Sequence, residues 1–269
     1  MLSLFSAPAP QHRKLLQRLS VRSTTLALLV AVSACSNSSQ SAPSPASTQS
    51  VPASLKQSLG NNLKKAGLNA TILDIQPTEA NGIFWVTLDG LPAVFTTADG
   101  QYIIQGDVIR LGQNQVTDVT APLVQATATK LFGQIDQKDL VIYRPTTPVK
   151  AVAYVFTDAD CGYCRKLHSE MAQINEKGIE IRYLAWPRAA QIVPKMEAIW
   201  CSEDRNSAMD AAKHGLPVES PKCANPVMKQ HQLGQQLGVN GTPAVYSVDG
   251  KYLGGYIPAA ELAKMLGVQ

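Results

Sequence analysis

Ala151-Val152-Ala153-Tyr154-Val155-Phe156-Thr157-Asp158-Ala159-Asp160-Cys161-Gly162-Tyr163-Cys164-Arg165-Lys166-Leu167-His168, continuing to Ile174, is the stretch that decides how this chain folds. Val152 to Phe156 is a short apolar run of the kind that forms a buried strand, and Thr157 to Asp160 reads as a loop. After Cys161, the residues Cys164, Leu167, Met171 and Ile174 recur at spacings of three, four and three, a helical stripe turned toward a core. Cys164 is therefore expected to face inward. Cys161 stands where the helix begins, and there the unpaired N–H groups and the positive end of the macrodipole favour an anion. Arg165 and Lys166 follow at once, and nearby positive charge lowers a thiol pKa further. The expectation is an accessible thiolate at Cys161 and a sheltered thiol at Cys164, which together make a redox-cycling pair.

Other uses of a Cys-x-x-Cys motif fit less well. A structural zinc site needs a second close pair of ligands, and Cys201 and Cys223 lie 22 residues apart, so no metal is expected. Covalent haem attachment needs His directly after the second Cys, where this chain has Arg165. A purely structural bridge inside one helical turn would close almost no loop and so contribute little stability. No cofactor is expected.

Working outward, residues 1–35 read as a secretory leader. Arg13, Lys14, Arg18 and Arg22 precede an apolar run from Thr24 to Ala34 that is too short to span a bilayer. Two cleavage routes fit its end: Val32 and Ala34 suit general signal peptidase, while Val32-Ser33-Ala34-Cys35 resembles a lipobox with Cys35 as the lipidated residue. Cys35 is the odd one among five cysteines, which favours lipidation, because a free exposed thiol is a liability in an oxidising compartment. The four leader cations account for the whole net charge of +4, so the mature chain is neutral and gives no electrostatic case for nucleic acid.

Residues 36–52 are rich in Ser, Pro, Ala and Gln and read as a disordered tether. Residues 53–117 follow as a small α+β domain. It has a helix marked by Leu55, Leu59 and Leu63, then strands punctuated by Asp89-Gly90 and Asp99-Gly100, dipeptides that favour tight hairpins. A domain of this size has a thin core, and pairing through an exposed strand edge would supply the missing burial, so a homodimer is expected; the alternative is a small independent domain packed on its own catalytic partner. Residues 118–148 read as a linker helix.

The remainder, 149–269, alternates strand and helix, with a mostly helical interval at about 188–238. It contains Ile179-Glu180-Ile181-Arg182-Tyr183-Leu184, then helices around Cys201 and after Gln230. Gly241-Thr242-Pro243 leads into a strand, an Asp249-Gly250 hairpin and a last helix after Pro258. Cys201 and Cys223 lack the helix-start and cationic context of Cys161, so they are read as a structural disulfide worth about 3 kcal/mol on the loop-entropy model; a second redox pair is the alternative. His168 is expected to be a solvated helix residue.

This order is that of a thioredoxin-like domain with a helical insertion, and the fold class is α/β. The chain resembles the periplasmic disulfide isomerases of the DsbC type, with DsbG-type proteins as near neighbours. The resemblance rests on Val155-Phe156-Thr157-Asp158, Cys161-Gly162-Tyr163-Cys164, Lys166-Leu167-His168, Arg182-Tyr183-Leu184-Ala185, Pro187-Arg188, Ile199-Trp200-Cys201 and Gly241-Thr242-Pro243-Ala244. It implies a V-shaped homodimer joined through N-terminal dimerisation domains. It further implies that Cys161 is the attacking thiolate, Cys164 the resolving thiol and Cys201 with Cys223 the structural disulfide. Gly162, Tyr163, Thr242 and a cis Pro243 would meet the substrate. The implied activity is disulfide reshuffling in misfolded exported proteins through a mixed disulfide with Cys161, in the periplasm, with a membrane reductant of the DsbD type restoring the dithiol. The alternatives are a DsbG-like holdase chaperone or sulfenic-acid/disulfide reductase, and a dithiol oxidase.

Overall fold

The computed structural model describes residues 49–268. The leader, Cys35 and most of the expected tether lie outside the described residues. The last residues of that tether are not loose, because the Gln49 side chain donates to the carbonyls of Thr78, Ala80 and Ile83 and accepts from Gly82 N–H.

The first layer is built by α1 (Leu55–Lys65) and the strands β1 (Ile72–Pro77), β2 (Ile83–Leu88), β3 (Leu91–Thr97) and β4 (Ile103–Ile104), an antiparallel sheet in chain order. Leu59 and Leu63 of the helix meet Ile72, Val86, Leu88 and Val94 in a small separate core. Asp89-Gly90 makes the β2–β3 turn as expected, with Gly90 at φ 64°, a conformation that costs other residues steric energy. The sequence reading missed a second hairpin, β5 (Ile109–Gly112) with β6 (Gln115–Asp118), which turns on Asn114 at φ 55°.

The expected linker helix over 118–148 is shorter and less free than the sequence suggests. α2 (Thr120–Phe132) starts where the Asp118 carboxylate accepts from the N–H groups of Thr120 and Ala121. It is a strut between the two sheets: Thr127 Oγ1 accepts from Trp85 Nε1 of β2 at 3.4 Å, and Phe132 stacks on Tyr154 at 4.3 Å. Past it, Val141–Tyr143 is not linker but a strand, β7, since its three successive apolar residues pair with an edge of the second sheet.

That second sheet adds β8 (Ala151–Thr157), β9 (Ile179–Ala185), β10 (Ala244–Ser247) and β11 (Tyr252–Gly254), in the order β11-β10-β8-β9-β7. Only β8 and β9 run parallel. Both faces are covered, which is why the central strands are apolar throughout. Ala153, Val155, Ile181 and Tyr183 face one core with Leu167, Ile174, Trp200, Met209 and Leu262, while Tyr154, Phe156, Leu184 and Tyr246 face the other with Phe132 and Leu237.

The helix after Cys161 is two helices, α3 (Gly162–Ser169) and α4 (Met171–Glu176), broken at Glu170. Glu170 accepts from Ala259 N–H at the start of the last helix, α8 (Ala259–Met265), and from the Tyr256 hydroxyl, which ties the break to the far end of the chain. Between β9 and β10 lie α5 (Val193–Cys201), α6 (Arg205–Lys213) and α7 (Val227–Gln236). α6 went unread in the sequence. Asp204 starts it by accepting from Ser207 N–H. A disulfide joins Cys201, at the end of α5, to Cys223 in the loop before α7.

Candidate active site

Strand β8 ends at Thr157, and the three-residue loop Asp158-Ala159-Asp160 delivers Cys161 to the N-cap of α3, with φ −77° and ψ 123°. The helix therefore begins at the cysteine motif as expected. Cys161 and Cys164 are both free thiols. Cys164 lies one turn into the helix and is buried, as its stripe requires.

The expected accessibility of Cys161 is corrected by the structure. Only 3% of the residue is exposed, because the loop entering β10 lies across it and the Thr242 carbonyl oxygen sits 3.2 Å from Sγ. The exposed part of the motif is its dipeptide, Gly162 and Tyr163. Beside it is a depression of about 380 Å³ lined by Tyr163, Asn240, Thr242, Pro243, Tyr252 and Tyr256. The Thr242–Pro243 peptide is cis.

The two sulfurs ionise very differently. Cys161 is held down to about 5, first by the hydrogen bond from the Cys164 thiol, against the cost of partial burial. The Thr242 side chain, the Cys164 backbone N–H and the positive charge of Arg188 add to this. The Thr242 hydroxyl is buried and has no hydrogen-bond partner among the described residues. Cys164 moves the opposite way: burial disfavours its thiolate, and donating to Cys161 keeps its proton in place. At neutral pH the arrangement is one thiolate and one thiol.

The expected source of positive charge also needs correction. Arg165 is turned back, its Nη2 3.1 Å from Asp160 and its Nε on the Ala159 carbonyl, and Lys166 sits over the Tyr256 ring at 4.5 Å. The cation beside Cys161 is Arg188, which sequence reasoning named only as part of a resemblance. It is fixed by Asp158, a fully buried carboxylate that accepts from Arg188 N–H at 2.8 Å, Arg188 Nε at 3.2 Å and Asp160 N–H at 2.7 Å. Asp160, the other nearby carboxylate, is neutralised by Lys195 at 2.7 Å.

His168 is not solvated. It is 7% exposed, four residues after Cys164 on the same helix face, with Nδ1 3.2 Å from the Tyr183 hydroxyl and Nε2 3.0 Å from Asp210. Burial lowers its pKa to about 4, so it is neutral at physiological pH. The spacing from Cys164 was the signal that could have placed it inside. Among the described residues no cluster of ligating side chains could hold a metal ion. No helix among them is long and apolar enough to cross a membrane.

Comparison with known proteins adds relatives to this geometry. Residues 39–121 match the disulfide bond isomerase protein N-terminal domain, and residues 137–268 match a thioredoxin-like domain. The thiol:disulfide interchange protein DsbC of Escherichia coli K12 is 38% identical over 209 residues, covering 76% of this chain and 84% of that protein. DsbC of Pasteurella multocida is 33% identical over 220 residues, covering 78% and 90% respectively. A crystal structure of a disulfide interchange protein from Neisseria gonorrhoeae superposes with a TM-score of 0.44 at 25% identity, over 50% of this chain and all of that one.

Proposed function

Because this chain belongs to the DsbC family of thiol:disulfide interchange proteins, thioredoxin-like disulfide isomerases, we propose that it reshuffles wrong disulfides through a mixed disulfide with Cys161. The Cys161 thiolate attacks one sulfur of a substrate bridge, forming a new S–S bond and releasing the other substrate sulfur as a thiolate. That thiolate attacks a second bridge, and the thiol set free there attacks the mixed disulfide, so Cys161 leaves as a thiolate with no net oxidation. If the substrate stalls, Cys164 attacks Cys161 Sγ, releases the substrate thiol and leaves the Cys161–Cys164 disulfide. A reductant must then act on that disulfide; a membrane protein of the DsbD type fits the role.

The observation that carries this reading is the split ionisation of two sulfurs on one helix turn, which supplies a nucleophile and a resolving thiol that does not compete with it. Since Cys161 is covered by Thr242, a substrate takes the place of that carbonyl contact on arrival. Gly162, Tyr163, Thr242 and Pro243 are its binding surface, with an extended segment lying along the Thr242 backbone.

Two protomers join through the N-terminal sheet. The support is the two-residue edge strand β4 with exposed Tyr102, Ile103 and Ile104, and the exposed Ile109, Leu111 and Val116 on the β5–β6 hairpin that follows it. The substrates are disulfide-containing exported proteins, and the protein works in the periplasm after the leader over 1–35 is removed. Anchoring through a lipid on Cys35 rests on the lipobox-like Val32–Cys35 and on Cys35 being left over once Cys201 is bridged to Cys223 and Cys161 and Cys164 serve the exchange.

Alkylation trapping in freshly lysed cells tests the function. An isomerase rests with Cys161 and Cys164 reduced, whereas a pair found oxidised identifies an oxidase and contradicts the proposal.

A further inference from the structure

Beneath the active-site helix lies a charged group that the exchange mechanism above does not use. Lys213, the last residue of α6, is 5% exposed, although lysine is among the residues least often found inside a protein. Its Nζ donates to Thr157 Oγ1 at 2.7 Å and to the Asp158 carbonyl at 2.8 Å. No carboxylate among the described residues pairs with it directly: the Asp158 carboxylate is taken up by Arg188 and the Asp160 N–H, and Asp210 turns to His168 and Tyr143. A buried ammonium without a counter-ion is costly, so the position calls for a reason.

The reason is what Lys213 faces. Its Nζ shares the Asp158 carbonyl with the N–H of Cys161, which donates at 3.3 Å, so the ammonium sits at the start of the helix that carries Cys164. Tyr183 closes the same space, with Lys213 Nζ 5.7 Å from its ring centre. The charges around Lys213 are Cys164, Asp158 and Cys161, which favour its protonated form, and Arg165, which opposes it; His168 lies close enough to feel the lysine.

We propose that Lys213 is the proton acceptor and charge partner of Cys164 in the resolving step, a role that rests on the assignment of Cys161 and Cys164 given above. Burial lowers the lysine to about 8, so a neutral amine is within reach at physiological pH. Formation of the mixed disulfide removes the negative charge of Cys161, which had favoured the ammonium, and so frees the amine when it is needed. The amine takes the proton of the Cys164 thiol, giving an ammonium beside a thiolate. That thiolate attacks Cys161 Sγ, the Cys161–Cys164 bond forms, and the bond to the substrate sulfur breaks. The electron pair leaves with the substrate thiolate, which is protonated by solvent. One disulfide is exchanged for another, and no outside oxidant enters.

The test uses the full chain, reduced, with oxidised glutathione as the probe disulfide. Two rates are followed by mass spectrometry between mildly acidic and alkaline pH: loading of glutathione onto Cys161, and its release by Cys164. For the wild type, release is expected to rise through the titration of a buried amine and level off by about pH 9, well short of the range where an unassisted buried thiol would ionise. Lys213→Met keeps the length without the charge and is expected to slow release about 100-fold, the scale of a lost general base, while loading stays within about threefold. Lys213→Arg keeps the charge but cannot accept the proton, so its release lacks the levelling. Release by Lys213→Met within about twofold of wild type, or loading and release falling together, overturns the proposal. Should the variants not fold, the wild-type profile decides alone: release still climbing at about pH 10 overturns it. Failure of glutathione to load onto Cys161 at all would instead contradict the underlying exchange reaction.

Discussion

The carbonyl oxygen of Thr242 lies 3.2 Å from the Sγ of Cys161, and the hydroxyl of the same threonine is buried with no partner of its own. One residue thus both covers the Cys161 sulfur and holds a spare donor beside it. An unpaired buried hydroxyl is unfavourable in the thiol state and becomes useful once a thiolate can accept from it.

Replacing that hydroxyl separates the two effects. Thr242→Val keeps the shape, so the thermal midpoint is expected to hold or rise. The Cys161 pKa is expected to climb by about one unit, the value of one hydrogen bond to a charged group. Ultraviolet thiolate absorbance against pH reads the second effect, and an unchanged midpoint there removes Thr242 from the electrostatics.

Arg188 is bound to its place by a carboxylate with no exposed surface. Arg188→Leu leaves Asp158 buried with two backbone donors and no cation, and since Arg188 itself is half-exposed, stability is expected to fall by about 2 kcal/mol, as when a buried acceptor loses one partner. Because Arg188 also favours the Cys161 thiolate, the Cys161 pKa rises in the same variant. Denaturant unfolding and the thiolate titration check the two halves, and loss of stability with no change in Cys161 would confine Arg188 to a structural role.

The Cys201–Cys223 bridge closes a separation of 22 residues, from the end of α5 to the loop before α7. The double variant Cys201→Ala, Cys223→Ala is expected to lose about 3 kcal/mol on the loop-entropy model while keeping its exchange rate per folded molecule. A large loss of rate in a folded variant would mean that the bridge shapes the site.

What the sequence made legible was local. A buried strand, a cysteine at a helix start, an inward stripe through Cys164 and three Asp-Gly turns each follow from spacings within a dozen residues, and each is present in the structure. What it hid was tertiary. Arg188 follows Cys161 by 27 residues and Lys213 by 52, so no window around the motif contains the charges that act on it. Arg165 and Lys166, next in the chain, are drawn off by Asp160 and Tyr256. The cover over Cys161 comes from residue 242, which a helix-start argument has no means to see. The β5–β6 hairpin escaped because its turn is Gln113-Asn114, without the Asp-Gly pair that marks three other hairpins, and its strands are only four residues long.

The claim on which the rest depends is that Cys161 is ionised while Cys164, one turn away, is not. Alkylation of the fully reduced protein with iodoacetamide, followed by peptide mass spectrometry across pH, tests it most directly. The account predicts modification at Cys161 alone, with a rate that is half-maximal at about pH 5 and flat through neutrality. Modification of Cys164 first, or a midpoint near the ordinary thiol value of about 8.5, would contradict it.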